Sequence, residues 1–347
     1  MPDKVYLKDM TLEEMANFFE SLGEKKFRAK QVYQWLYRGV CSFEEMTDLS
    51  KELRQKLTET AEVGSLRLLQ VQASQEDGTR KYLFGLADGN SVESVFMKYK
   101  YGNSICISSQ AGCRMGCKFC ASTIGGLCRN LTAGEMADQI ISVEKNTGEK
   151  ISNIVIMGTG EPFDNYENLS KFIYLVHHKA GLNIGMRSIT VSTCGILPKI
   201  EVFAKEFPQV NLAISLHAPN DQIRDLTMPI NKKYNMEQLL KACRDYVEET
   251  GRRITFEYAL VSGVNDQAVH AEELAKRLKG MLCHVNLIPL NNVTESSFSG
   301  ASRVQASQFQ AQLEKLGIQA TVRRELGSDI DAACGQLRLK NYENLEN

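Results

Sequence analysis

No run of apolar residues in this chain approaches the roughly 18 that a membrane-crossing helix needs. The opening stretch, Met1 to Met10, also lacks the apolar core of a secretory leader. The expected location is therefore cytoplasmic, with no membrane partner. An excess of one charge is missing too: 41 Lys and Arg stand against 42 Asp and Glu, a formal net charge of −1. No global positive field marks the chain for a polyanion, so any such site must be a local patch. There is no repeat of fixed sequence, no low-complexity segment and no long linker. With 43% hydrophobic and 24% charged residues over 347 positions, the chain has the balance of an ordinary soluble protein, long enough for one large domain and a smaller one. Cysteine, by contrast, is plentiful. Ten cysteines in a reducing compartment are not expected to form a disulfide framework; they point to metal or redox chemistry.

The first sixty or so residues read as short helices. In "TLEEMANFFESLG", Thr11 and Glu14 stand at capping-box spacing, Met15, Phe18, Phe19 and Leu22 share a face, and Gly23 ends the run. "AKQVYQWLYRG" repeats the pattern up to Gly39, and a third helix is expected after Ser50. The predicted divisions are a helical module over residues 1–62, a β-rich linker over 63–101 whose hairpins turn at Asp77-Gly78 and Asp88-Gly89-Asn90, and a core over 102–347.

From Ser104 onward the pattern alternates. "SICISSQ", "SNIVIMG", "RSITVST", "VNLAISLH", "RITFEYALV" and "CHVNLIPL" read as strands apolar on both faces, separated by amphipathic helical stretches such as "TAGEMADQIISVEKNTG". Six such units predict an α/β fold with a partial parallel (β/α)6 barrel, an open doubly wound sheet being the alternative. Polar or reactive residues gather at the C-terminal ends of these strands: three cysteines after the first, Gly160 and Glu161 after the second, Ser192 and Thr193 at the third, Ser215 and His217 at the fourth, Asn291 after the sixth. Parallel βα barrels build their active sites at that end.

The three cysteines, Cys113, Cys117 and Cys120, form "CRMGCKFC", with no second pair nearby. A structural zinc site wants four ligands, and Cys106 or Cys128 would have to be recruited to complete one. An iron–sulfur cube wants one thiolate per iron, so three thiolates leave one iron open for a small molecule.

The spacing and its place after a first barrel strand resemble the radical S-adenosylmethionine (SAM) superfamily, as does Phe119 before the last cysteine. The strings "CISSQAGCRMGCKFC", "MGTGEP", "VSTCGILP", "NLAISLHAPND", "RRITFEYAL", "VNLIPLN" and "DIDAACGQL" together resemble the RlmN/Cfr family of radical RNA-adenine methyltransferases over nearly the whole chain. Thr159, where many members carry methionine, Cys128, and the missing proline in "LNNV" depart from the family pattern.

The resemblance implies one [4Fe–4S] cluster on Cys113, Cys117 and Cys120 and two SAM molecules consumed per methylation. Gly160, Glu161, Ser192, Ser215, Leu216, His217 and Asn291 are the implied cofactor residues. It further implies that Cys334 is methylated by displacement, that a 5′-deoxyadenosyl radical removes a hydrogen from the S-methyl group, and that the methylene radical adds to adenine. Glu93 is the implied base and Cys106 the thiol that resolves the adduct as a disulfide with Cys334. Implied partners are 23S rRNA, tRNA, an electron donor of the flavodoxin or ferredoxin kind and a thiol reductant, acting on a monomer. Cys41, Cys194, Cys243 and Cys283 are expected to be incidental. "KKFRAKQVYQWLYRG" supplies Lys25, Lys26, Arg28, Lys30 and Arg38 among aromatics as a candidate RNA face, with "MKYKYGN" and Arg323-Arg324 as others. Three activities stay open: methylation of adenosine carbon 2, methylation of carbon 8 as in Cfr-type antibiotic resistance, and a zinc-bearing RNA-binding module without catalysis.

Overall fold

The amphipathic segments at the start of the chain form helices Leu12–Ser21, Lys26–Leu36 and Lys51–Thr60 in the computed structural model, which describes residues 4–64, 66–289, 298–330 and 337. Thr11 and Glu14 close the expected capping box, and Ser50 caps the third helix through the Leu53 amide. The apolar faces, with Met15, Phe19, Val32, Leu36, Leu53 and Leu57 buried, run into the main core. Polar contacts pin the module to helix Ala133–Thr147. Lys8 and Asp138 form a buried ion pair, the Gly134 amide donates to Asp9 over 2.7 Å, and Lys145 donates to the Gly39 carbonyl over 3.0 Å.

Strands Arg67–Ala73, Arg80–Gly85 and Ser91–Tyr99 pair antiparallel, and the last pairs antiparallel with Gly102–Cys106. From there the sheet turns parallel: Gly102–Cys106, Asn153–Ile156, Ile189–Thr193, Asn211–Ser215, Ile254–Leu260, Cys283–Pro289 and Ala320–Val322 lie side by side in chain order. The result is one sheet of ten strands. The hairpin strands thus continue the barrel sheet, and a short seventh parallel strand extends the six expected. Among the described residues the two edges of the sheet are not paired strand to strand, but the chain after the last strand reaches the hairpin at the first. Gly327 and Gln75 amides donate to Asp77 and Asp329 over 2.9 and 2.8 Å, and Ser328 donates to Glu76 over 2.7 Å. We refer to this as the clasp.

Register decides what each face carries. One face presents Ile154, Ile156, Ile189, Val191, Leu212, Ile214, Ile254 and Phe256, all buried, as the helices on that side require. In-register neighbours Lys81, Val95, Cys106, Val155, Thr190 and Asn211 cross the other face, and Ser215, Glu257, Asn286 and Thr321 form a second row on it. The parallel strands are therefore not apolar on both sides, as their composition suggested. This inner face, the lumen face, tolerates polar groups where they bond to one another, as Asn286 does in donating to Glu257 over 2.8 Å. Helices Ala133–Thr147 and Met236–Thr250 end in Gly148 and Gly251 at φ 71° and 65°, the left-handed cap that only glycine adopts at no cost.

Candidate active site

The cysteine loop is held by its own backbone. Gly112, at φ +80°, lies against the Gly126 carbonyl, and a Cβ there would come within 2.0 Å of that oxygen. The Cys113 amide donates to the same carbonyl over 2.9 Å. The Thr123 hydroxyl lies 3.2 and 2.9 Å from the Cys117 and Cys120 carbonyls. The Lys118 amide donates to Thr227 over 2.9 Å, tying the loop to helix Asp221–Thr227. Burial pushes the Cys113 thiol up to about 12 and the Cys117 thiol up as well, with neighbouring cysteines adding to each shift. Such thiols become thiolates only against a strong local cation, which is what iron supplies. Among the described residues no three Cys, His, Asp or Glu side chains converge tightly enough to hold one metal ion. Three thiols on one backbone-held loop are the donors an iron–sulfur cluster takes, so the donor set fits a cluster.

Beside the loop, Gly160 at φ +110° presses on residues 109 and 110; a Cβ would sit 2.6 Å from Gln110 Cβ. Glu161 is buried, and its carboxylate accepts from the Thr193 hydroxyl (2.6 Å), the Cys194 amide (2.7 Å) and the Phe163 amide (3.0 Å). Burial raises its pKa while these donors pull it back. The Ser109 hydroxyl, buried with no partner among the described residues, lies next to Gly160.

Ser192 and Ser215 face each other across neighbouring strands, Oγ to Oγ 3.4 Å. Beyond Ser215 the Leu216 and His217 amides both donate to the Glu257 carbonyl, at 3.0 and 3.2 Å. His217 sits at φ +55°, an unusual conformation for a residue with a side chain. Its Nδ1 accepts from the Ala259 amide at 2.9 Å, which leaves Nε2 to carry the proton, and its ring meets Phe119 edge-on at 5.0 Å. Desolvation, then the charge of Arg224, lowers its pKa to about 3. Asn291 lies outside the described residues.

Glu93 and Cys106 stand on neighbouring strands and share the lumen face with Ser192 and Ser215. Glu93 is 4% exposed and pairs with Lys81, itself wholly buried, at 3.0 Å. The Ser108 hydroxyl donates to the Glu93 carbonyl over 2.7 Å. Cys334 lies outside the described residues; the clasp residues Gly327 to Asp329 precede it by a few positions.

Lys81, Arg224 and Glu257 were not singled out by sequence reasoning. Lys81 was visible as a lysine inside the apolar run "RKYLFG", and Glu257 as an acid inside "ITFEYAL". Arg224 gave no signal, since its helix reads as amphipathic. Of the basic stretch, Lys25, Lys26, Phe27, Lys30 and Arg38 are exposed, whereas Tyr33 and Tyr37 belong to the core. No described helix is long and apolar enough to cross a membrane.

Residues 5–63 match the family model for the ribosomal RNA large subunit methyltransferase N-terminal domain, and residues 107–275 match the radical SAM superfamily. The chain is 57% identical over 335 residues to the probable dual-specificity RNA methyltransferase RlmN of Thermoanaerobacter sp. (strain X514), covering 96% of this chain and 98% of that one. It is 53% identical over 342 residues to the corresponding protein of Desulforamulus reducens, covering 98% and 97%. A crystal structure of a radical SAM methyltransferase from Sphaerobacter thermophilus matches with a TM-score of 0.92 and 45% identity, over 96% of this chain and 98% of that one. A helical module matched by the rRNA methyltransferase model, a three-cysteine loop at the head of a parallel barrel, and relatives alike from end to end leave one conclusion: the chain belongs to the RlmN family of radical SAM RNA methyltransferases.

Proposed function

We propose that this enzyme methylates carbon 2 of a specific adenosine in 23S rRNA, and of an adenosine in the tRNA anticodon loop, through an S-methylcysteine at Cys334. The observation that carries this reading is the shared face of Glu93, Cys106, Ser192 and Ser215, which sets an acid and a thiol in the same lumen as the cofactor residues.

When bound, the [4Fe–4S] cluster and SAM supply the methyl group and the radical. Cys113, Cys117 and Cys120 hold the cluster, one per chain, and Gly160, Glu161, Ser192, Ser215, Leu216, His217 and Asn291 hold the cofactor. The remaining work falls to side chains. Glu93, kept in place by Lys81, takes the proton that carbon 2 must lose, and the one electron that the adduct must also give up would return to the cluster. The Cys106 thiolate attacks the Cys334 sulfur, the carbon–sulfur bond to the base breaks with its electron pair going to the methylated base, and a proton joins it there. The resulting Cys106–Cys334 disulfide is reopened by a thiol reductant. A flavodoxin- or ferredoxin-type donor supplies electrons, and the chain acts as a monomer.

Nucleoside mass analysis of rRNA and tRNA from a deletion strain tests the regiochemistry. Loss of 2-methyladenosine supports the proposal; retention of it with loss of an 8-methyl mark assigns the Cfr-type activity instead. Intact mass of the purified chain should show an added methylene that maps to Cys334. Cys334→Ala should abolish turnover, and Cys106→Ala should stall with RNA covalently attached, read as a slow band on a denaturing gel.

A further inference from the structure

Arg224 is the largest fully buried side chain in the described structure, 1% exposed. Its guanidinium donates only to neutral acceptors: the Cys194 carbonyl at 2.7 Å, Asn231 Oδ1 at 3.0 Å, the Leu216 carbonyl at 3.2 Å and the Ser215 carbonyl at 3.4 Å. No carboxylate lies within ion-pairing distance of it among the described residues. Asp221 and Asp225, within or beside the same helical turn, are linked to it through the Asn231 amide, which donates to them over 2.9 and 2.8 Å. A buried charge without a counter-charge is costly, and a hydrophobic side chain of like volume is normally the more stable choice. The position therefore calls for an anion that no described carboxylate supplies by direct contact.

The anion is at hand. Arg224 stands on helix Asp221–Thr227, whose last residue accepts from the Lys118 amide between Cys117 and Cys120. Pro229, just beyond, lines Gly116. We propose that Arg224 is a positioning residue that supplies the fixed positive charge setting the reduction potential of the cluster held by Cys113, Cys117 and Cys120.

The physical basis is electrostatic. Reduction adds one electron, taken from a low-potential one-electron donor, to a cluster already surrounded by three thiolates; no bond forms or breaks and no proton moves. The reduced assembly is the more negative of the two, so a fixed cation in a medium of low dielectric favours it and raises the potential. By bonding the Cys194, Ser215 and Leu216 carbonyls, the same side chain keeps that charge at a constant place in the frame of the cofactor pocket. The inference rests on the radical SAM cluster and is independent of which adenine carbon is methylated.

The test is anaerobic reconstitution of the wild-type chain and of Arg224→Lys, Arg224→Met and Arg224→Gln, with iron and sulfide counted per chain and the cluster midpoint read by EPR during dithionite titration. At equal iron content, the methionine and glutamine variants should be at least tenfold harder to reduce, a shift of about 59 mV to more negative potential per tenfold for one electron. The lysine variant should stay within about threefold of wild type. If the two neutral variants take up no cluster while lysine loads normally, the requirement for charge is again met. A wild-type midpoint in a loaded neutral variant overturns the role of Arg224 alone, as does failure of the lysine variant to load along with the others, since shape rather than charge would then be needed. A wild-type chain that binds no iron overturns this inference together with the cluster on which it rests.

Discussion

Glu161 shows how one buried carboxylate can tie separate loops together. Three donors converge on its buried carboxylate, and each would be stranded by truncation. Glu161→Ala should cost about 1–3 kcal/mol for each donor left unsatisfied, seen as a lower urea midpoint, and should weaken SAM binding measured by calorimetry. His217 makes a prediction about acid. Its folded pKa, about 3, lies below the ordinary 6.5 because burial and Arg224 disfavour the imidazolium. Below pH 6.5 the unfolded chain takes up a proton that the folded chain refuses, so the stability the neutral ring contributes is present above pH 6.5 and is lost as the pH falls toward 3. At roughly 1.4 kcal/mol per pH unit, the loss across that window is on the order of 4 kcal/mol. Urea unfolding from pH 7 to pH 4 should show this slope, and a His217→Asn variant should flatten it. Residues of this kind were partly legible: "MGTGEP" and "SLHAPND" marked Glu161 and His217. Nothing in the letters revealed that Glu161 would be fully engaged by Thr193, Cys194 and Phe163, because those contacts join separate loops.

At the scale of elements, the local signals were sound where a cap or a period exists. Thr11, Thr132 and Asn235 each open a helix with the capping geometry their spacing announces. The strand Ala320–Val322 was missed because three residues carry no detectable alternation; it exists only because Cys283–Pro289 offers it an edge. The antiparallel strands read as a linker because hairpins are visible locally, whereas their continuity with the barrel depends on pairing between Ser91–Tyr99 and Gly102–Cys106. Their buried Lys81–Glu93 pair belongs to this scale. Lys81→Met should remove the cation paired with buried Glu93, at a cost of about 3–5 kcal/mol. Adding Glu93→Gln should recover much of that loss in urea denaturation, although the double variant would lack the base. Asp77 holds the clasp, and its acceptance of the Gly327 amide and of Thr79 outweighs burial to bring its pKa down to about 2. Asp77→Ala should raise hydrogen exchange across residues 327–330 and slow methylation, while leaving exchange in helix Met236–Thr250 unchanged.

For the molecule as a whole, the order of elements and the chemistry at the strand ends were present in the linear chain. Apolar β-branched runs alternating with amphipathic helices leave few alternatives to a parallel sheet, and Cys113, Cys117 and Cys120 have a spacing that few chemistries need. The same letters determined that the N-terminal segment is helical, because its caps and glycine stops act within a few residues. Tertiary structure decided what depends on register and curvature. It alone put Glu93, Cys106, Ser192 and Ser215 on one face, since a one-residue slip would turn each of them to the other side. It brought the segment before Cys334 back to the first hairpin, and it buried Arg224 beside the cysteine loop with no carboxylate partner among the described residues. Short-range propensities are summed over neighbours in sequence, whereas lumen, clasp and buried charge are set by contacts between residues far apart in the chain, and only the folded sheet brings those together.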